Sequence, residues 1–389
     1  MLTSFERDMI SIIRAAIVGT EPNISENFDF DLAYGFSQKM QIAPLVCCGI
    51  EKLPNAFLDT GSKKFLKSTI SYSFYCDFQD KEIESILGEF DKQQIEYLRL
   101  KGTDIKRLYP RSELRLMSDA DILIKKKQYK KIKAIMLSLG YKAVTESDHE
   151  YIWQKNGINI ELHKRLIPSY NKDYYNYFGD GWRLAKPRED KPNEYVMSNE
   201  DNFIYLFTHY AKHYRDSGIG VKHLTDFYVF LNENKNLDWN YVNEELKVLQ
   251  LYDFWQTTKN VLDVLFKNAE CDEKSAFVIR RIFDGAAYGS YENHVLSDGV
   301  KASKSTKNAR MKKIWEGIFP SFSLLKIKHK FLKWLPFLLP LVWLCHWVKT
   351  IFNPKKLARK RKELNTISSE NIKTYQDELN YVGLDFNFK

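Results

Sequence analysis

The sequence predicts an α+β fold: a small mixed-sheet core flanked by N-terminal and C-terminal helical regions. Three observations predict it. Short runs of β character gather between residues 96 and 168. Apolar residues recur at helical spacing on both sides of that stretch. Within it, Asn156-Gly157 separates two alternating runs, a strong local hairpin signal.

Residues 1–95 read as helices. Ile12 and Ile13 begin an apolar pattern, Leu32 to Leu53 continues it, and Phe65 to Phe90 keeps the same spacing. Pro44 and Pro54 mark turns or helix starts. The core follows over 96–197. Glu96 to Leu100 suits a strand, Lys101 to Asp104 a turn, and Ile105 to Tyr109 a short helix stopped by Pro110. Asp119 to Ile124 is a strand. Lys126 to Leu139 is a helix with Ile132, Ile135, Met136 and Leu139 on one face and Gly140 as its C-terminal cap. Tyr141 to Thr145, Glu150 to Gln154 and Ile158 to Leu162 are strands. Helices return over 198–300, starting at Ser198 with Asp201 three residues on, an N-cap signature. They run Phe203–Tyr214, Val221–Leu231, Trp239–Leu249, Tyr252–Phe266 and Glu273–Phe283. The polar stretch from 289 to 306 reads as a loop, and 301–389 forms a basic, apolar helical end.

Composition narrows the class. The chain of 389 residues has 44% apolar and 28% charged residues, ordinary for a globular protein. Its five cysteines show no metal-ligand spacing, and their odd number argues against a disulfide framework, so a reducing, cytoplasmic setting is expected. An acidic start, Glu6 and Asp8, does not suit a signal peptide. The net charge of +9 is concentrated in one place: residues 300–362 hold 17 Lys or Arg against Glu316 alone, and the rest of the chain is net acidic.

The segment with most chemistry is Ser118-Asp119-Ala120-Asp121-Ile122-Leu123-Ile124. Side chains alternate along a strand, so Asp119 and Asp121 share a face. Adjacent carboxylates repel unless a cation lies between them, and a hard divalent ion suits oxygen ligands. The blander reading is a solvated strand face. Glu161, in Ile158-Asn159-Ile160-Glu161-Leu162-His163, completes a three-carboxylate set if its strand neighbours the Asp strand; Asn159 and His163 share its face. Gly102 and Thr103, between a strand and a short helix, suit a phosphate. Lys101, Arg111 and Arg115 flank the carboxylates and could neutralise a triphosphate or pair with local acids.

These residues carry a resemblance. Leu100-Lys101-Gly102-Thr103, Tyr109-Pro110, Arg115, Asp119-Ala120-Asp121, Gly140-Tyr141, His149 and Glu161-Leu162-His163 together resemble the uncharacterised bacterial nucleotidyltransferase family (NTP_transf_5 type) of the polymerase-beta superfamily. That superfamily includes kanamycin nucleotidyltransferase and poly(A) polymerase. Thr103 stands where Ser is usual, Glu161 where Asp is common, and the gap from Gly102 to Asp119 is long. The resemblance implies an enzyme that transfers a nucleoside monophosphate from a nucleoside triphosphate such as ATP to an unidentified acceptor. It implies Mg²⁺ or Mn²⁺ on Asp119, Asp121 and Glu161, and phosphate contacts from Lys101, Gly102, Thr103 and Arg115. The alternative is an inactive nucleotidyltransferase fold acting as an antitoxin, scaffold or nucleotide sensor.

Weaker similarity continues through His209-Tyr210-Ala211-Lys212-His213 and Gly220 to Asp226. His209 and His213 share a helix face. With Asp226 they suit nucleotide or acceptor binding by analogy, or simply a histidine-locked helix pair; the His-Glu-x-x-His zinc form is absent. Residues 331–348 are strongly apolar but broken by Pro336 and Pro340, a poor membrane span, and 355–362 are basic. A helix packed on the protein's own core is the first reading, and peripheral membrane contact through 321–362 the second. Nucleic acid is the least supported partner, having no signature of its own.

Overall fold

The computed structural model describes residues 1–54, 60–287, 291–302, 311, 314–322, 325, 326 and 329–385. The chain divides into two compact units: 1–212 with 219–288, and 213–218 with 289–386.

The first unit opens with helices α1 (Ser4–Val18), α2 (Phe30–Met40), α3 (Ala43–Ile50) and α4 (Thr60–Lys92). Thr3 and Glu6 form a capping box that starts α1, satisfying backbone N–H groups that the first turn leaves open. The apolar run from Leu32 to Leu53 is not one helix. Gln41 adopts φ 57° and ends α2 before Pro44, in the first turn of α3.

The sheet has seven strands: β1 (Tyr97–Arg99), β2 (Asp119–Ile124), β3 (Lys142–Glu146), β4 (Glu150–Lys155), β5 (Ile158–His163), β6 (Ala185–Pro187) and β7 (Glu194–Met197). Their spatial order is β3-β4-β5-β2-β1-β7-β6. β2 pairs parallel with β5 and antiparallel with β1, so the sheet is mixed. Helices α5 (Gly102–Ile105) and α6 (Tyr129–Ser138) join the early strands. Asn156 and Gly157 both take positive φ (49° and 81°) in the tight turn from β4 to β5, as an Asn-Gly hairpin requires. Ala120, Ile122 and Ile124 of β2 enter a buried cluster with Ile86 and Phe90 of α4, Ile132 and Met136 of α6, and Trp153 and Ile160. The apolar face of β2 thus meets α4 and α6, which leaves Asp119 and Asp121 on the other face.

After β5 come α7 (Lys172–Phe178), β6 and β7, then α8 (Asn199–Asp216), α9 (Lys222–Glu233), α10 (Trp239–Val248), α11 (Tyr252–Lys267) and α12 (Glu273–Asp284). Ser198 Oγ accepts the Asp201 N–H at 3.0 Å, the cap its position suggested. Trp255 stacks on Trp239 and meets Phe203 and Phe207 edge-on, an aromatic centre for this helical region.

In the second unit, the loop expected over 289–306 is replaced by helix α13 (Tyr291–Ala302); 289, 290 and 303–306 lie outside the described residues. Val295, Leu296 and Val300 are buried and α13 packs on α15 (Pro354–Thr366) and α16 (Ser369–Tyr381), so tertiary burial overrides local polarity. In the chain, α14 (Leu339–Ile351) lies between α13 and α15. Among the described residues, no helix is long and apolar enough to cross a membrane.

Candidate active site

The carboxylates meet because of strand register. In the parallel pairing of β2 and β5, Asp121 stands opposite Glu161, Asp119 opposite Asn159, and Leu123 opposite His163. Neighbours in register share a face, so Asp119, Asp121, Glu161 and His163 project together.

Asp121 is the buried centre, 6% exposed. Lys101 Nζ donates to Oδ1 at 2.7 Å, and His163 Nε2 lies 2.7 Å from the same oxygen. Burial alone would raise this carboxyl. The Lys101 ammonium and the His163 ring outweigh it and hold Asp121 well below the usual carboxylate range. Lys101 and His163 are both shifted upward: burial opposes their charge, and at His163 so does the Lys101 ammonium, but Asp121, joined at His163 by Glu161, more than restores it. Asp119 behaves oppositely. Burial first, then the charges of Asp121 and Glu161, push its carboxyl up to about 6. Among the described residues, no hydrogen bond reaches the Asp119 side chain. Glu161 is more open, its side chain 20% exposed and its Oε2 3.6 Å from His163 Nε2. One ligand atom each from Asp121, Glu161 and His163 fall within 4.8 Å of one another. Asp119 is outside that tight trio, so the donor cluster differs from the expected Asp119, Asp121 and Glu161 by including the histidine.

The β1–α5 turn aims Lys101. This residue takes φ 49°, ψ −123°, a conformation costly for any side chain bearing Cβ, which directs its amine to Asp121. The positive φ of this turn thus falls on Lys101 and not on the glycine that follows it. Gly102 answers a different constraint: a Cβ there would lie 2.9 Å from Met117 Sδ. Thr103 is buried, and its Oγ1 accepts the Asp121 N–H at 3.1 Å. The same hydroxyl keeps its own hydrogen for another acceptor.

Arg115 and Asp226 find each other. Arg115 Nε and Nη2 hold the two Asp226 oxygens at 2.6 and 2.7 Å, Nη1 donates to the Leu116 carbonyl, and Tyr109 Oη donates to Asp226 at 2.7 Å. This buried fork fastens α9 to the segment before β2. Arg111 stays near the surface beside Glu51 and Glu113. His209 is half-buried on α8, its ring 6.4 Å from Tyr205 and 6.5 Å from that of His223. His213 lies one turn further along α8, within the second unit. Neither belongs to a metal-spaced cluster among the described residues.

Two groups escaped the sequence reading. Lys222 is buried on α9; burial and then the Arg115 charge lower it to about 7, while Asp226, then Asp119 and Asp121, pull the other way. Its position one helical turn before Asp226 was the available signal. Tyr205 of α8 is fully buried, its hydroxyl has no hydrogen-bond partner among the described residues, and Lys101, Asp121 and Glu161 act on it electrostatically. A cleft of about 410 Å³ lies elsewhere, lined by Arg99, Lys106, Arg107, Arg188 and Lys191, and touches the region above only at Thr103 and Met117. Its cations already face Asp80, Glu84, Asp104 and Glu194.

Comparison with known proteins places this geometry in context. The family described as uncharacterised nucleotidyltransferase matches residues 26–266. No curated protein matches the chain. Among solved structures, the solution structure of the antibiotic-resistance factor ANT(2″)-Ia is similar at 15% identity, over 48% of this chain and 96% of that one, with a TM-score of 0.33.

Proposed function

This chain belongs to the uncharacterised nucleotidyltransferase family, and from that premise we propose that it moves a nucleoside monophosphate from a nucleoside triphosphate to an acceptor nucleophile, releasing pyrophosphate. The observation that carries this reading is the β2–β5 register, with Glu161 opposite Asp121 and Asp119 two residues away on the same face.

The three carboxylates fit a hard divalent ion. Their donors are all oxygen, no hydrogen bond reaches the Asp119 side chain among the described residues, and the Lys101 and His163 contacts on Asp121 both fall on Oδ1. Bound there, Mg²⁺ or Mn²⁺ would supply Lewis-acid stabilisation of charge on the phosphoryl oxygens. The chain's own groups do the rest. Lys101 supplies a fixed positive charge beside Asp121, in a buried setting where such charge acts strongly. Glu161, partly open to solvent, accepts the proton of an acceptor hydroxyl. Gly102 and Thr103 face the β- and γ-phosphates, Thr103 through its spare hydroxyl hydrogen. Arg115 acts by holding Asp226, and so α9, against the core. His209 contributes to the nucleotide or acceptor side.

The test is purified full-length protein with Mg²⁺ or Mn²⁺ and each labelled nucleoside triphosphate, with cell extract as the acceptor source. Pyrophosphate release that vanishes in Asp119→Asn and Asp121→Asn supports transfer. Full release by Asp119→Ala would overturn it. A second reading has its own observation: the Lys101 ammonium already neutralises Asp121. A binding protein built this way retains nucleoside triphosphate in calorimetry and releases no pyrophosphate with any acceptor. For the C-terminal region we propose contact with an anionic membrane surface, carried by the exposed apolar face of α14 beside basic α15.

A further inference from the structure

Beside the acidic face, β4 and β5 gather donors that the transfer reading leaves unused. Glu150 stands opposite His163 in the antiparallel pairing, so both side chains leave one face of the sheet. His149 precedes Glu150 and folds back on it, with Nε2 2.8 Å from Glu150 Oε2. The His149 and His163 ring centroids are 5.7 Å apart. One ligand atom each from His149, Glu150 and His163 come within 4.8 Å of one another.

The second observation is the state of His163. Its side chain is 1% exposed. Nε2 is committed to Asp121 at 2.7 Å, while Nδ1 is buried with no hydrogen-bond partner among the described residues. A buried polar atom without a partner costs free energy, and an unshared ring nitrogen beside a second imidazole and a carboxylate is a donor awaiting an acceptor. Ser147 Oγ sits 3.3 Å from His149 Nδ1, orienting that ring as well.

We propose that His149, Glu150 and His163 through Nδ1 bind a divalent transition metal of the zinc type, at a site separate from the Asp119 and Glu161 carboxylates. Two imidazoles and one carboxylate are a donor set suited to Zn²⁺ or Co²⁺ and poorly suited to Mg²⁺. Asp121 takes the outer position of a carboxylate–histidine–metal arrangement, fixing the His163 tautomer and ring. Occupancy would thus lock the carboxylate at the centre of the acidic face without adding a ligand to it. This inference does not rest on the transfer reading, since binding is measured without nucleotide.

The experiment uses full-length protein stripped with chelator and titrated with Co²⁺ at pH 8, where proton competition for imidazole is weak. One equivalent should bind with the visible bands of a low-symmetry Co²⁺ centre. Zn²⁺ should displace it and millimolar Mg²⁺ should not. His149→Ala and, independently, Glu150→Gln should each weaken binding on the order of 100-fold, with circular dichroism and the melting curve showing folded protein. Asp119→Asn should leave it unchanged. Unaltered Co²⁺ binding in either folded variant, no spectral change in the parent protein, or loss of the bands in Asp119→Asn alone would overturn the proposal.

Discussion

Asp119 carries a charge that its surroundings oppose. Its carboxyl is raised from 3.8 to about 6 by burial and by Asp121 and Glu161, with Lys101 and Lys222 opposing. Between about pH 4 and 6 the folded state therefore holds more protons than the unfolded chain, so stability falls as pH rises through that window, and the whole penalty is present above it. Asp119→Asn should raise stability at pH 8 on the order of 1–2 kcal/mol, with the gain gone below about pH 4. Melting curves across pH check this, and a variant less stable than the parent at pH 8 would show that the charge is not repelled. The Arg115–Asp226 fork argues the reverse case. Asp226→Ala strands a buried guanidinium and should cost about 3–5 kcal/mol in urea unfolding, while the double variant Arg115→Met with Asp226→Ala recovers much of that loss. Lys101 adds a backbone test. Lys101→Ala loses the ion pair and keeps the strained φ, whereas Lys101→Gly loses the pair and relieves it. The glycine variant should melt higher than the alanine variant, and the opposite order would mean the turn is not strained. That Asp119 and Asp121 share a face was legible in the sequence because strand alternation is a local rule, whereas Glu161 comes opposite Asp121 only through the β2–β5 pairing, which the sequence left conditional. Lys222 and Tyr205 were not, because they arrive from helices about a hundred residues further on, and no local pattern says what a helix face will cover.

Elements extend the same lesson. The Asp119–Ile124 strand, the Asn156-Gly157 hairpin and the Ser198 cap were readable because each is fixed by neighbours in sequence. Strands β6 and β7 were missed because they are short and because β7, on which β6 pairs, is ordered by a contact distant in sequence, lying parallel to β1. Helix α13 was read as a loop because its polar surface hides three buried apolar residues. The contact between α5 and β2 yields a prediction at this scale. Thr103 Oγ1 accepts the backbone N–H of Asp121, so its hydroxyl is a bolt between the turn and the carboxylate strand. Thr103→Ser keeps that bond and should be nearly neutral. Thr103→Val orphans a buried N–H and should cost about 1–3 kcal/mol. Guanidinium unfolding of the two variants separates them, and equal stability would mean that the hydroxyl does not brace the strand.

At the scale of the whole molecule, the uneven charge of the chain acquires a place. The apolar run from 331 to 348 was read first as a helix packed on the protein's own core, and α14 does pack by one side, through Val342 and Trp343 against Leu325 and Leu332. Its other side stays in solvent through Leu341, Leu344, Val348 and Ile351, and in the segments flanking the helix Trp334 is 86% exposed, Phe337 73% and Phe352 81%. Such a run exceeds the scattered apolar residues of an ordinary surface. The 13 residues of α14 are too short to span a bilayer but suit a helix lying in its interface. Helix α15 supplies Lys355, Arg359, Lys360, Arg361 and Lys362 alongside, and basic groups near a membrane are drawn to acidic headgroups. Full-length protein should therefore float with vesicles containing phosphatidylserine, float less as salt rises, and stay behind with neutral vesicles. Trp334→Ala with Phe337→Ala should weaken flotation more than tenfold, since two large exposed side chains lose their apolar burial. Arg359→Glu with Arg361→Glu should abolish the preference for acidic lipid. Flotation that survives deletion of 321–362, or none at all alongside self-association in sedimentation, would assign this face to a protein contact instead.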